Sequence, residues 1–449
     1  MRIPFPISES SPVEHTAELP ATADLVVIGG GVIGVMTAWF AAQKGLRAVV
    51  LEKGRVAGEQ SSRNWGWIRQ QGRDPAELPV MIEANQHWRA LDPQVQAEIG
   101  LRQTGTLYLA KDAAEMDRFA AWMPHARAHD LDTVLLTSAQ VAAKIPDSAH
   151  SWAGAMWTAS DMRAEPWVAV PALARAAARA GVQIVENCAA RGLDRAAGRV
   201  GGVVTERGTI SCDRVVLAGG AWSSLFLRRH GINIPQLSVR ATVAATEPLA
   251  QVYDGGGVDH RFAFRRRDDG GYSLAPEGFH EMFVGPDAFR ALRRYLPQIW
   301  ADPMGTAYRP AAPRGYPDAW GTARTWADTD VTPFEKMRVL NPAPNARKVA
   351  QLARLFAQTF PDAGAVTIKS AWAGMIDSMP DMVPVVDHAD AISGLIIATG
   401  MCGHGFGIGP GFGRMLADMV AGDDPGHDKR RFRLSRFSDG SKLETGPNL

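Results

Sequence analysis

Apolar residues in this chain fall into short unbroken runs, helix-spaced stripes and alternating stretches, and the three textures occupy different regions. Residues 25–28 are an unbroken apolar run, as expected of a strand covered on both faces. That run passes directly into Gly29-x-Gly31-x-x-Gly34, and residues 35–44 then place Met36, Phe40 and Ala41 at helical positions. Gly45 stops the helix, and 47–51 reads as a second strand ending in Glu52. Further helices are predicted over 78–91, 113–128, 166–180, 349–360 and 412–420. Further strands are predicted over 104–110, 182–185, 214–218 and 394–399, with a hairpin of 201–205 and 209–211 around Glu206-Arg207-Gly208. From about 237 to 340 the texture changes to short alternating segments rich in proline and arginine, which predicts a separate sheet-rich region.

Strand-to-glycine junctions thus stand at 24–34, 214–223 and 394–411, far apart in the chain. A parallel sheet gathers ligands at the carboxyl ends of its strands, so one nucleotide-binding domain built from separated pieces is the economical reading. The glycines allow a tight turn and close approach of backbone to a pyrophosphate at the positive end of the following helix. Glu52 stands about 20 positions on, where an acidic side chain can hold a ribose hydroxyl pair. The predicted architecture is α/β: a Rossmann-like nucleotide-binding domain with an inserted substrate domain of mixed β-sheet plus helix. The boundaries drawn are a mobile leader (1–23), the nucleotide-binding domain (24–90, 150–236 and 365–449) and the substrate domain (91–149 and 237–364). Residues 54–79 lack a clear period and read as a functional loop.

The chain has 449 residues, with 48 Lys plus Arg against 47 Asp plus Glu, so charge implies no nucleic-acid partner. Its three cysteines, Cys188, Cys212 and Cys402, are widely spaced and odd in number, which fits a reducing compartment rather than a disulfide framework. No Cys/His cluster has metal-ligand spacing, so no metal is expected. The first 20 residues lack the basic-then-apolar order of a signal peptide, and no uncharged apolar stretch reaches membrane-spanning length. A cytoplasmic protein without an integral membrane segment is expected, with peripheral attachment to the inner membrane and a homo-oligomeric state left open.

Together these motifs resemble the FAD-dependent amino acid and amine oxidoreductases of the D-amino acid oxidase superfamily, which includes glycine oxidase, D-amino acid dehydrogenase and L-amino acid deaminase. Val27 to Gly34 with Val49 to Gly54 is similar to the family's FAD fingerprint, and Ser61-Ser-Arg-Asn-Trp-Gly66 to its second phosphate and flavin loop. Val215 to Ser223 is similar to its central strand-turn motif, Trp372-Ala-Gly374 with Pro380-Asp381 to the segment over the flavin, and Gly400 to Gly411 to the C-terminal flavin-binding turn. By this resemblance Gly29, Gly31, Val32, Ile33 and Gly34 wrap the pyrophosphate, and Glu52 takes the adenosine ribose. Lys53, Ser61, Ser62, Arg63, Asn64, Trp65, Gly66 and Trp67 lie along the pyrophosphate, ribityl chain and flavin, with Ala190 at the adenine. Ala218, Gly219, Trp222 and Gly374 flank the cofactor, while Gly403, His404, Gly405, Phe406, Gly407 and Ile408 face the flavin N1/C2 edge. Backbone donors there stabilise the negative charge that gathers on reduction.

Two departures carry information. Where monomeric sarcosine oxidases tether the flavin to a cysteine this chain has Gly374, so the FAD is expected to be noncovalent. Where D-amino acid and glycine oxidases place a substrate-binding arginine this chain has Ile376, so a carboxylate clamp must come from elsewhere. The resemblance therefore leans toward oxidative deamination of an L-amino acid to a 2-oxo acid, with oxygen or a quinone-type carrier taking the electrons. A D-amino acid or N-methyl amine substrate, and a noncatalytic FAD-binding subunit, remain the alternatives. An NAD-dependent dehydrogenase is disfavoured because one NAD site leaves the 394–411 junction without a purpose. The planar fork of arginine suits the substrate carboxylate. The deaminase resemblance puts the clamp on a strand of the substrate domain, so Arg265, on the predicted strand Phe262-Ala-Phe-Arg-Arg-Arg267, is the expected clamp. Arg69, with Gln71 beside it in the patch after the flavin loop, is the other candidate, each against the plainer reading of solvated charge. Trp372 is expected to wall the pocket over the flavin, or else to pack in the core.

Overall fold

The computed structural model describes residues 5–301 and 305–446. The outer ends of the predicted leader and last segment, and residues 302–304 of the substrate domain, lie outside the described residues. The apolar runs become a six-stranded sheet in the order 385–388, 395–399, 215–217, 25–28, 48–51, 183–185. All its neighbours pair in parallel except Val385–His388, which runs antiparallel to Leu395–Thr399. The interior strands Leu25–Ile28, Ala48–Leu51, Val215–Leu217 and Leu395–Thr399 are buried at every position because both faces are covered. One face packs against helices Val32–Gln43, Glu77–Arg89, Pro166–Arg179 and Gly405–Ala421; the other carries a second core with Trp222, Phe226, Ile210 and Phe334.

The chain from Leu237 onward supplies most of a ten-stranded mixed sheet. Its centre is Leu237–Thr246, a long strand paired antiparallel with Ile368–Ser378 along almost its full length. Helix Ala346–Thr359 covers this sheet through Leu352 and Phe356, which join Phe262, Phe264 and Tyr272 in a third core. Two strands belong here rather than to the nucleotide-binding sheet where the sequence boundaries put them. Gly154–Thr158 pairs with Thr106–Ala110, and Ile368–Ser378 pairs with Leu237–Thr246. Strand texture predicts a strand but not its neighbour, since pairing is made by residues distant in sequence.

Residues 5–23 are a strap, in contrast to the mobile leader expected. Ile7 is buried, its carbonyl accepts from Arg63 Nη2 at 2.8 Å, and Ser11 O accepts from Arg55 Nε at 2.6 Å. Glu14 and His15 donate their backbone N–H groups to Glu186, and Thr16 bridges to Val185 at the sheet edge. The segment is held by its backbone, so its polar side chains gave no sign of it. The predicted loop at 54–79 contains a helical turn (Gln60–Arg63) and a short strand (Trp67–Ile68). Among the described residues no helix is long and apolar enough to cross a membrane.

Candidate functional site

Three separated segments meet above the carboxyl ends of the parallel strands. The first helix starts at Val32 directly after Gly29-Gly30-Gly31, and Gly29 has φ +117°, a conformation that side chains resist. A Cβ at Gly34 would run into the Gly29 carbonyl, so this glycine serves helix–strand packing. The last helix starts at Gly405, seven residues before the predicted start, because the glycines of the turn are themselves helical. Gly407, Gly409, Gly411 and Gly413 let that helix lie close to Trp67, Val32, Val80 and Met36. Neither helix has a side-chain N-cap from its own first turn, although Ser61 Oγ accepts from Val32 N at 2.9 Å. Both N-termini therefore present donors and positive dipole ends to one space.

That space is a cavity of about 1210 Å³, counting the part open to solvent. Of the residues predicted to hold the cofactor, Gly29, Gly31, Val32, Ile33, Glu52, Lys53, Ser61 and Asn64 line it from the N-terminal side. Ala190, Ala218, Gly219 and Trp222 line it from the middle of the chain, and Gly403, Gly405 and Phe406 from the C-terminal end. Glu52 accepts from Gly30 N at 2.8 Å and from Gly54 N at 2.7 Å, and burial, opposed by Lys53, pushes its pKa up to about 7. Lys53 Nζ lies 4.4 Å over the Trp222 ring and donates to Glu59 and to the carbonyls of Met337 and Arg338. Trp222 Nε1 also donates to Glu59, a residue that sequence reasoning passed over. Gln60 was missed too: its Oε1 is buried without a partner among the described residues, where it borders the cavity. A space rimmed by glycines, with two helix N-termini that lack a cap from their own first turn and a buried acceptor without a partner among the described residues, fits a dinucleotide cofactor.

A second cavity, of about 2010 Å³ counting the part open to solvent, adjoins the first, and Gln60, Asn64, Gly403 and Phe406 line both. The predicted residues Arg63, Trp65, Trp67, Arg69, Gly374, His404 and Gly407 line this second space. Sequence reasoning did not find Tyr108, Phe119, Val258, Phe279, Arg73 or Glu277, which complete its wall. Arg63 is fully engaged, donating to Gly58 O, Ile7 O, Ala373 O and Asn341 Oδ1, and burial lowers its pKa to about 10. Arg69 lies 5.3 Å over the Tyr108 ring and donates from Nη1 to Gln71 O at 2.5 Å. Its Nε and Nη2 meet no protein acceptor among the described residues, although the residue is only 9% exposed.

Several expected site residues lie elsewhere. Arg265 is turned away from both cavities: Nη1 and Nη2 each donate to the Glu165 carboxylate at 2.9 Å, and the side chain is 1% exposed. A buried fork already closed on a carboxylate is not free to clamp a second one. Trp372 is buried in the core beside Phe5, its Nε1 donating to Arg63 O at 2.9 Å. Gln71 is buried behind the wall, where its Oε1 accepts from Thr158 Oγ1 at 2.9 Å. Ser62 donates to Glu59 O, Gly66 (φ +79°) sits against Ala164 O and the Arg265 guanidinium, and Ile408 is fully buried in the core.

The chain is similar to known proteins along nearly its whole length. L-amino acid deaminase from Proteus myxofaciens, solved in complex with anthranilate, superposes with TM-score 0.90 at 28% identity, over 95% of this chain and 96% of that one. Sarcosine oxidase subunit beta from Rhizobium meliloti is 26% identical over 94% of this chain and 90% of its own length. Mitochondrial sarcosine dehydrogenase from Homo sapiens is 24% identical over 93% of this chain, which spans 42% of that longer protein. The family described as "DAO: FAD dependent oxidoreductase" matches residues 24–419, the stretch that carries all three strand-to-glycine junctions. The chain belongs to this family of FAD-dependent oxidoreductases.

Proposed function

We propose that the protein oxidises an α-amino acid, with L-amino acids preferred, to an imino acid that water hydrolyses to a 2-oxo acid and ammonia. The observation that carries this reading is Arg69, a nearly buried arginine whose Nε and Nη2 meet no acceptor among the described residues, in an aromatic-walled cavity that adjoins the first. A planar fork in such a place suits a carboxylate. The likeness to the Proteus deaminase, at 28% identity over nearly the whole chain, supports an amino acid of the L series.

Bound FAD supplies the hydride acceptor. The protein's part is placement: Arg69 grips the carboxylate and fixes Cα, while Tyr108, Phe119, Val258 and Phe279 enclose the side chain and exclude water. The uncapped N-terminus at Gly405 and Phe406 offers backbone donors to negative charge gathering beside it. Oxygen or a quinone-type carrier returns the enzyme to its starting state. A second reading, oxidation of an N-methyl amino acid, draws on the likeness to sarcosine oxidase subunit beta over 94% of the chain.

Anaerobic titration of the yellow protein with L-, D- and N-methyl amino acids tests the proposal. Bleaching by L-amino acids is the expected outcome. Bleaching by N-methyl amino acids alone replaces the first reading with the second, and a protein that none of the three classes bleaches is a noncatalytic FAD-binding subunit.

A further inference from the structure

In the wall of the second cavity His404 has two ring nitrogens in unlike surroundings. It stands immediately before the helix Gly405–Ala421, between Gly403 and Phe406, which line both cavities. Its Nδ1 is 3.2 Å from Oε2 of Glu77, the first residue of helix Glu77–Arg89, whose side chain has almost no exposed surface. The imidazole itself is 24% exposed and lines the cavity, and its Nε2 meets no protein partner among the described residues. Behind Glu77 lies Arg73, with Nη1 at 3.9 Å from Glu77 and Nε donating to the carbonyl of Arg69 at 3.2 Å. The charged groups around the ring are thus Glu77 from its helix, Arg73 from the turn before it, and Arg69 from the segment after Trp67–Ile68.

This arrangement sets the tautomer. Burial pushes the Glu77 carboxyl upward, but His404 and Arg73 outweigh it and hold the group below its ordinary value. An ionised carboxylate can only accept, so the hydrogen of the neutral ring sits on Nδ1 and Nε2 turns a bare lone pair to the cavity. Burial also lowers the pKa of His404, against the opposing charge of Glu77, which favours the neutral form of the ring.

A free amino acid near neutrality carries an ammonium group, and the nitrogen lone pair must be released before it can assist loss of hydride from Cα. We propose that His404 is the catalytic base that removes one ammonium proton from the substrate while Arg69 holds the carboxylate, with Glu77 as its positioning residue. This rests on the amino acid reading given above. In the step one N–H bond of the ammonium breaks, its electron pair stays on the nitrogen, and a new N–H bond forms at Nε2. The resulting imidazolium is paired with Glu77 and returns its proton to water through the open cavity as product leaves. No electrons are exchanged in this step, and no further reactant is required.

The test uses the FAD-loaded protein and follows anaerobic bleaching by its best amino acid across pH. His404→Asn is expected to slow bleaching about 10²-fold at pH 7, within the range of general-base contributions. Its rate should then climb about tenfold per pH unit toward the pKa of the substrate's own ammonium. Glu77→Gln keeps the ring but loses the constraint on Nδ1, so its profile should shift in the same direction by a smaller amount. The His404 ring-proton NMR titration should move in that variant, whereas binding of a carboxylate analogue without the amine should be unchanged in His404→Asn. A wild-type rate and profile in both variants overturns the inference while leaving the functional reading intact. If no amino acid bleaches the wild-type protein, the functional reading fails and takes this inference with it.

Discussion

Two buried arginines show why residue type and period do not settle a role. Alternation along residues 262–267 places Arg265 and Arg267 on one face, and both are buried, at 1% and 3% exposure. Their destinations depend on distant residues: Glu165 closes on Arg265, and Asp269 with the carbonyls of Thr246 and Tyr272 engages Arg267. Among the described residues Arg69 has no ion-pair partner of that kind, and its Nε and Nη2 stay free. Arg69→Ala should therefore raise the amino acid concentration for half-maximal bleaching about 10- to 100-fold, the worth of a charged, paired hydrogen bond, with FAD content and melting temperature kept. Arg265→Ala should instead leave Glu165 buried and unpaired, costing about 3–5 kcal/mol of stability in denaturant titration with little change in substrate concentration. The reverse pattern would return the clamp to Arg265.

At the scale of elements, the helices and strands at the nucleotide site are legible because their apolar runs and glycine stops are local signals. The helix 113–128 is observed with those ends, and that at 166–180 ends one residue earlier, at Arg179. The last helix is the informative failure. Glycine and proline through 405–411 read as a turn, yet helix Gly405–Ala421 runs straight through them. Its propensity is poor, and packing compensates: the missing side chains let it touch the first helix and the strand at Trp67–Ile68. A Cβ at Gly413 would lie 2.5 Å from Met36 Cβ and 3.0 Å from Thr37 N. Gly413→Ala, which raises helix propensity, should for that reason lower the melting temperature, with an overpacking cost of about 1–3 kcal/mol. A gain in stability would show that the two helices can separate freely.

At the scale of the molecule, the first cavity exists only when residues 28–64, 190–226 and 398–406 are brought together, so cofactor binding and folding should be coupled. FAD at a hundredfold excess over its Kd adds about 2.7 kcal/mol to the folded state by mass action. The FAD should also come away in acid: Gly374 offers no tether and has no room for a side chain beside Gln60, and no cysteine or histidine among the described residues lines the first cavity. Acid precipitation is expected to leave a yellow supernatant and a colourless pellet, and colour kept in the pellet would mean a covalent bond.

From its sequence alone the chain declares a parallel nucleotide-binding sheet, glycines at its strand ends, an acidic residue at the second strand, and the family that unites them. These features are local, repeated and tied to backbone geometry, so they survive being read one segment at a time. The structure alone decides that residues 5–23 strap the domain and that Gly154–Thr158 and Ile368–Ser378 join the larger sheet. It alone turns Arg265 inward and leaves Arg69 free, and it alone brings Glu77 within 3.2 Å of His404 across more than 300 residues of chain. Each of those outcomes depends on which partner occupies a side chain or a strand edge. A partner distant in sequence leaves no periodic trace, because it is chosen by the packing of the whole fold.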